Sequence, residues 1–329
     1  MNSSAPAVSV LIPSYNYRRY LDEAIGSVMD QTFRDFEIVL VDDGSTDGSL
    51  EKAREWEARF PGTIRVFVHD AHRNLGIVRT YEAAIARARG RVAAFLEADD
   101  VWHPRNLEKK MEVLEKNPDV GVVYSRYRPF GWRRGVWYWK LYETANACGL
   151  PQGRAADLFP VFLKRNPVAS FSHFLVRREL LCGIPELRTM RMNNDWWILA
   201  HLAGRASFYA VPEFLCYWRI HPSSAAFGRV DRRVLWRLRG FLLRLYGSLE
   251  KDPFSGGKMA RRRKKNLSKA LKFQRKLEKR QWASLLKTMI HPIALMRFLC
   301  YIALRNLLFS KKYDSALTAA IGPGARLFS

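Results

Sequence analysis

Two acidic stretches carry the chemistry this chain could perform. Val39-Leu40-Val41 runs into Asp42-Asp43-Gly44-Ser45-Thr46-Asp47, and Val92 to Leu96 runs into Glu97-Ala98-Asp99-Asp100. In each, an apolar run of strand length ends in carboxylates, which an open α/β sheet places at the edge where the connecting loops form a ligand crevice. Carboxylates there suit two tasks. They can accept hydrogen bonds from a nucleotide, and they can hold a hard divalent cation, Mg2+ or Mn2+, that neutralises a departing diphosphate without needing a proton. Together the two stretches point to a metal-dependent site for a nucleotide-diphosphate sugar. Each also has a plainer reading: Asp43-Gly44-Ser45 as a tight turn before a helix, and Asp99-Asp100 as caps ahead of a helix that begins at Pro104.

The elements that must position these residues alternate in type. Val8 to Ile12, Phe36 to Val41, Ile64 to His69 and Val92 to Leu96 read as strands. Tyr20 to Asp30, Ser49 to Phe60 and Ile77 to Arg89 read as helices, the first with Leu21, Ala24, Ile25 and Val28 at helical spacing. Three crossovers of this length imply a parallel sheet with its loops on one edge. After Asp100 the pattern is mixed: a helix from Pro104 to about Asn117, a strand from Val120 to Tyr127, and a stretch from Phe130 to Tyr142 without a clean period. That last stretch, crowded with Trp132, Trp137 and Trp139, reads as a loop or irregular hairpin near a ligand. Gly153 to Arg165 reads as a helix, Ser172 to Val176 as a strand, Asp195 to Ala203 as a helix, and Ala206 to Arg219 as one or two strands broken at Pro212. Beyond Gly228 the patterns are helical: Val234 to Leu249, Asn266 to Thr288 and Pro292 to Phe309, with Asp252 to Gly257 as a linker.

Ser9-Val10-Leu11-Ile12-Pro13-Ser14-Tyr15-Asn16, Asp30-Gln31-Thr32-Phe33, Asp42 to Asp47, Asn74-Leu75-Gly76 and Glu97 to Asp100 occur in an order and spacing that resembles the family-2 inverting glycosyltransferases. The resemblance covers about residues 8 to 105, with weaker motifs reaching Ser224. It implies a GT-A fold, in which a mainly parallel, Rossmann-like mixed sheet is flanked by helices. It also implies a nucleotide-sugar donor, a divalent cation, and inversion at the anomeric carbon. By the same resemblance Asp100 is the direct metal ligand and Asp99 faces the donor's ribose or sugar or shares the metal, while Glu97 stands where many members have Asp. Asp43, with Asp42, would accept from the base or ribose, and Pro13 and Tyr15 would line the base pocket. Arg73 or Arg79 would pair with the diphosphate, although many relatives carry Arg-Asn where this chain has Tyr81-Glu82. An inverting transfer also needs a general base beside the acceptor hydroxyl. Asp195, in Asn194-Asp195-Trp196-Trp197, resembles the family's acidic acceptor-site motif and is the expected base; its plainer role is a helix cap. His221, in Trp218-Arg219-Ile220-His221-Pro222-Ser223-Ser224, resembles a late motif whose histidine approaches the metal or diphosphate, against the plainer reading of a surface histidine.

Charge divides the chain unevenly. Of the formal +24, residues 229–329 carry +20, from 25 Lys and Arg against 5 Asp and Glu. This sets an expected division into a catalytic domain over 1–229, with donor binding over 1–105 and the acceptor side over 106–229, and a basic helical tail over 230–329. So basic a segment calls for a polyanionic partner or a strongly solvated surface, its plainer reading being a solvated helix packed on the catalytic domain. Arg261 to Lys265 is followed by apolar and aromatic residues from Trp282 to Phe309, which suit an anionic membrane surface better than nucleic acid. Arg297 and Arg305 interrupt the most apolar stretch, which argues against a spanning helix. Cys148, Cys182, Cys216 and Cys300 show no paired short spacing, so neither a zinc module nor a disulfide framework is expected. The polar Met1 to Pro6 lacks the regions of a secretory signal. The expected location is the cytoplasm, peripherally on the membrane, with a lipid-linked or cell-surface glycan as acceptor. Two other classes compete: a nucleic-acid-binding protein using the tail, and a saccharide-binding protein that has lost catalysis.

Overall fold

The computed structural model describes residues 5–146, 153–155, 157–163, 169–184, 194–224, 234–251, 265–269 and 271–272. In the first hundred residues, strands β1 (Val8–Ser14), β2 (Phe36–Asp42), β3 (Ile64–Val68) and β4 (Val92–Phe95) alternate with helices α1 (Arg18–Met29), α2 (Ser49–Arg59) and α3 (Ile77–Arg87). The four strands are parallel in the order β3-β2-β1-β4, as the alternation requires. Every residue of β1 and β2 is buried, the condition of strands covered on both faces. Side-chain alternation divides them between two cores. Leu11, Val39 and Val41 pack with Val78, Tyr81 and Ala84 of α3, whereas Val10, Ile12, Ile38 and Leu40 pack with Leu21, Ala24 and Ile25 of α1. The chain reverses direction across the sheet at β1, and the loops leaving β1, β2 and β4 meet at its carboxyl edge.

The second half widens the sheet with mixed pairing. Its elements are β5 (Val101–Trp102), α4 (Asn106–Lys116), β6 (Val120–Gly131), α5 (Arg133–Asn146), β7 (Gly153–Ala155), α6 (Phe159–Phe162), β8 (Phe174–Arg177), α7 (Asn194–Arg205), β9 (Ser207–Ile220) and α8 (Val234–Glu250). Among the described residues nine strands form one sheet, continuing from β4 as β8-β6-β9-β5, with β7 on β9. β8 is antiparallel to both β4 and β6, and β9 is parallel to β6.

Several sequence expectations are corrected here. Phe130 to Tyr142 is no loop: β6 runs on to Gly131, whose φ of 99° turns the chain, and α5 follows. Its period is hidden because Trp132, Val136 and Trp139 pack on a small separate core at Trp218 and Ile220, while Trp137 stays exposed. Gly153 to Arg165 is not one helix, because Gly153–Ala155 pairs with β9 and only the single turn α6 follows among the described residues. Pro212 does not break β9. The register passes from Ser125 opposite Val211 to Arg126 opposite Phe214, so Pro212 and Glu213 are accommodated in a bulge, where a missing N–H does no harm.

Past the division expected at residue 229, α8 packs on the body. Phe241, Leu242, Leu245, Tyr246 and Leu249 of α8 belong to the same core as Trp196 and Trp197 of α7, and Tyr246 donates to the Leu163 carbonyl at 2.7 Å. Leu267 and Leu271 pack against that core as well. The linker and the rest of the tail, including Pro292 to Phe309, lie outside the described residues; among those described, no helix is long and apolar enough to cross a membrane.

At the opposite edge of the sheet, buried Glu37 ties three strands together. Its carboxylate accepts from Ser9 Oγ at 2.7 Å, Arg65 Nη1 at 2.9 Å, and the Arg89 backbone N–H and Nε, each at 2.8 Å. These hydrogen bonds hold the carboxyl below its ordinary pKa despite burial. Glu37→Ala should therefore lower unfolding free energy by about 3 kcal/mol, the scale for breaking a buried charged network, read as a shift in the denaturant midpoint.

Candidate active site at the carboxyl edge of the sheet

The turn after β2 is built on its own first carboxylate. Asp42 is fully buried and accepts from the Gly44 and Ser45 N–H groups at 3.1 and 2.9 Å and from Ser45 Oγ at 2.5 Å, with His72 Nε2 at 2.9 Å. These contacts use Asp42 to shape the loop. Gly44, at φ 79°, lies so close to the neighbouring loop that a Cβ would stand 2.8 Å from Asn74 N and His72 O. Asp43 accepts from Leu75 N–H at 2.7 Å and Gly76 N–H at 3.0 Å, and its own N–H donates to the Ser14 carbonyl at 2.8 Å. Tyr15 and Leu75, each next to or at a backbone partner of Asp43, are 45% and 43% exposed, while Pro13 is buried in register with Val41. Asn16 joins the loops, donating its N–H to Ser45 Oγ and accepting Thr46 N–H on Oδ1, at 2.9 and 2.8 Å. Arg73 is exposed and makes a long contact of 3.5 Å to the Asp70 carbonyl, whereas Arg79 pairs with Glu82 on the surface of α3.

At the end of β4 two adjacent aspartates stand in different surroundings. Asp100, read from sequence as the direct metal ligand, is fully buried: Oδ2 accepts from Ser170 Oγ at 2.6 Å and Ser172 Oγ at 2.5 Å, and Oδ1 accepts from Arg219 N–H at 2.8 Å. Burial, with Asp99 beside it, pushes its pKa well up. Asp99 instead meets His221, with Oδ2 at 3.0 Å from Nε2, while Ser223 Oγ lies 2.8 Å from Nδ1. Nearly buried, His221 has its ring against Tyr20 at 5.1 Å and Tyr17 at 6.0 Å, so it is no surface histidine. Burial and the nearby carboxylates, Asp99 foremost, raise the Tyr17 phenol far above its ordinary pKa.

Glu97 joins this segment to the expected base. One carboxylate oxygen lies 2.5 Å from Tyr81 Oη, and the Glu97 N–H donates to Ser172 Oγ at 2.9 Å. Burial raises its pKa to about 8, opposed by the Tyr81 hydrogen bond and reinforced by the charges of Asp99 and Asp195. Asp195, in the first turn of α7, is therefore within electrostatic reach of the β4 segment. Trp196 and Trp197 beside it are core residues, Trp196 donating to the Phe162 carbonyl at 2.7 Å.

Among the described residues no three His, Cys, Asp or Glu side chains converge as a metal cage. Asp99 and His221 form a two-donor set, and a Mg2+-like ion is commonly held by one or two carboxylates with substrate phosphates filling the rest. The pair therefore fits an ion completed by a diphosphate.

Several residues that build the site gave little signal in the sequence. Ser170 and Ser172 reach Asp100 from the 3-10 turn Phe171–His173, which is braced from below: Trp102 Nε1 donates to the Ser172 carbonyl at 2.7 Å and Lys110 Nζ to the His173 carbonyl at 3.0 Å. Lys110 does have a trace in sequence, since it falls with Leu107, Met111 and Leu114 on the buried stripe of α4. Burial pushes its ammonium pKa down to about 7. The unfolded chain, with an ordinary lysine pKa near 10.4, then binds the proton that the fold releases, so stability attributable to this group rises with pH from about 7 to about 10. Lys110→Met should flatten that rise in melting temperature relative to the unmodified chain, and an unchanged slope would contradict the assignment.

The glycosyl transferase family 2 model matches residues 9–182. An uncharacterized glycosyltransferase of Nostoc sp. is 44% identical over 219 residues, 65% of each chain. The putative teichuronic acid biosynthesis glycosyltransferase TuaG of Bacillus subtilis is 38% identical over 35% of this chain and 44% of its own. The chain thus covers less than two thirds of the length of these relatives. Among solved structures, S. aureus TarS 1–349 in complex with UDP-GlcNAc matches with a TM-score of 0.58 at 16% identity, over 94% of this chain and 83% of that one. The mannosyltransferase PcManGT from Pyrobaculum calidifontis, in complex with GDP-Man and Mn2+, matches with a TM-score of 0.51 at 17% identity, over 96% and 84%.

Proposed function

This chain belongs to glycosyl transferase family 2 and has the GT-A fold, and from that premise we propose that it moves a sugar from a nucleotide-diphosphate sugar to a hydroxyl of a glycan or lipid-linked acceptor, inverting the anomeric carbon. The observation that carries this reading is Asp99 paired with His221 just past β4, with Glu97 two residues before it and within electrostatic reach of Asp195. The solved structures whose titles name UDP-GlcNAc and GDP-Man support the donor class, and TuaG, named for teichuronic acid biosynthesis, supports a cell-envelope polysaccharide as product.

In this reading the donor's base rests against Tyr15, over Pro13 and beside Leu75, with Asp43 holding the loop that frames it and offering an acceptor to base or ribose. Arg73, on the rim, is the cation placed for the diphosphate; Arg79 is engaged by Glu82. Asp99 and His221 would hold Mg2+ or Mn2+, whose charge when bound offsets that building on the leaving diphosphate. Asp100 does not touch substrate and acts by fixing Asp99. Asp195 takes the proton from the acceptor hydroxyl as that oxygen bonds the anomeric carbon, and the opposite bond to the diphosphate oxygen breaks. Transfer from radiolabelled UDP- and GDP-sugars tests these roles. Asp195→Asn should lower kcat by about a hundredfold or more while donor binding persists, and Asp99→Asn should abolish Mn2+-dependent donor binding. Full turnover by both variants would overturn the reading.

The basic tail gives the acceptor an address at the cytoplasmic face of the membrane, since each cation near an anionic surface contributes roughly 1 kcal/mol. Residues 258–312 are the segment assigned to this contact. The full chain should float with phosphatidylserine-containing vesicles at low salt and be released at high salt; its recovery free of vesicles at low salt would count against this location.

A further inference from the structure

Beyond the bulge, β6 and β9 present a row of stacked cations that the donor site does not use. Strand alternation puts Tyr127 on the inner face against His173 and Trp218, and Arg126, Arg128 and Phe130 on the other. Register sets Phe214 opposite Arg126, Tyr217 opposite Arg128 and Arg219 opposite Phe130. The Arg126 and Arg128 guanidinium carbons lie 4.0 and 4.5 Å from the centre of the Phe214 ring. Farther along, Arg219 lies 4.4 Å from the Phe130 ring and 4.7 Å from Tyr20, over which Arg19 also stacks at 4.2 Å. The row ends at the site, where Arg219 donates through Nε to the Asp99 carbonyl at 2.7 Å and through its N–H to Asp100 at 2.8 Å.

Arg126 and Arg128 are exposed, and neither meets a carboxylate among the described residues. The nearby acidic groups are engaged, Glu213 by Lys109 at 3.5 Å and Glu23 by Arg219 at 2.7 Å. Stacking on an aromatic ring fixes a guanidinium while leaving its N–H edge open to an oxyanion. Two such groups at positions i and i+2 of a strand are about 7 Å apart, and the track from Phe214 to Arg219 is about 17 Å long. That geometry fits an extended chain with repeated negative charges. It suits a bilayer less well, because cations cap the Phe214 ring and leave little apolar surface to insert.

We propose that this face of β6 and β9 is a track for an anionic acceptor glycan, one bearing phosphate or carboxylate groups along its chain, leading it to the transfer site. The inference rests on the transferase reading and specifies its acceptor. It is tested on the full chain by fluorescence anisotropy at physiological salt, with labelled inorganic polyphosphate and labelled oligogalacturonate as probes of the two anionic chemistries. Because the basic tail also attracts polyanions, the comparison is between two variants that lose equal charge. Arg126→Ala/Arg128→Ala removes the track, and Arg59→Ala/Arg91→Ala removes two exposed arginines elsewhere. The track variant should bind one or both probes about tenfold more weakly, with the control close to the unmodified chain. Equal losses in the two variants would overturn the proposal, as would a track-specific loss confined to anionic vesicles or single-stranded DNA. Binding of UDP and GDP by the unmodified chain is a separate arm: its absence would count against the transferase reading, and it does not depend on Arg126 or Arg128.

Discussion

A carboxylate withdrawn from water must be given hydrogen bonds by the protein, and the way Asp100 is given them organises the whole carboxyl edge. Its three donors come from two segments distant in sequence, the 170–172 turn and the end of β9. Satisfying one buried group therefore closes the second half of the fold onto the first. Asp99 inherits its position from this closure, because its neighbour in the chain cannot move without leaving a buried oxygen unpaired. Arg219 repeats the arrangement one residue earlier through the Asp99 carbonyl.

The sheet divides its labour between edges. At the amino edge Glu37 gathers Ser9, Arg65 and Arg89 in a fully paired network that faces no ligand crevice. At the carboxyl edge the same residue types are left at higher energy: burial and two neighbouring carboxylates raise the pKa of Glu97, and burial with Asp99 beside it raises that of Asp100. Carboxylates crowded together are poor for stability, and groups perturbed in this way gather at functional sites. One fold holds both arrangements because backbone pairing across β3-β2-β1-β4 supplies cohesion that the carboxyl edge does not have to provide.

The sequence made the first half of the fold legible because there each element has a single partner type. Runs such as Ile38-Val39-Leu40-Val41 are strands buried on both faces, and the acidic turns follow them directly. It was less legible where packing partners were remote. The helical period of α5 was masked by tryptophans that serve a small satellite core. The different surroundings of Asp99 and Asp100 could not be read from adjacent letters, because they depend on Ser170, Ser172 and Arg219 arriving from elsewhere. Charge and packing are separate signals past residue 229, since the arginines of α8 sit on the same helix as the apolar side chains that pack on α7. Lys110 left a trace as a lysine within an apolar stripe, but the carbonyl that accepts from it was invisible.

The docking of α8 has a mechanical consequence. α7 begins at the residue before Asp195, and α8 packs along that helix through Phe241 against Trp196 at 4.9 Å and Ser248 near His201 at 3.2 Å. Leu267 and Leu271, just past the first arginines of the basic run, pack on the same core. Loosening Phe241 from Trp196 would therefore reach the first turn of α7, and Asp195 within it, through packing alone, so a substitution far along the chain from the acidic turns could still be felt beside them.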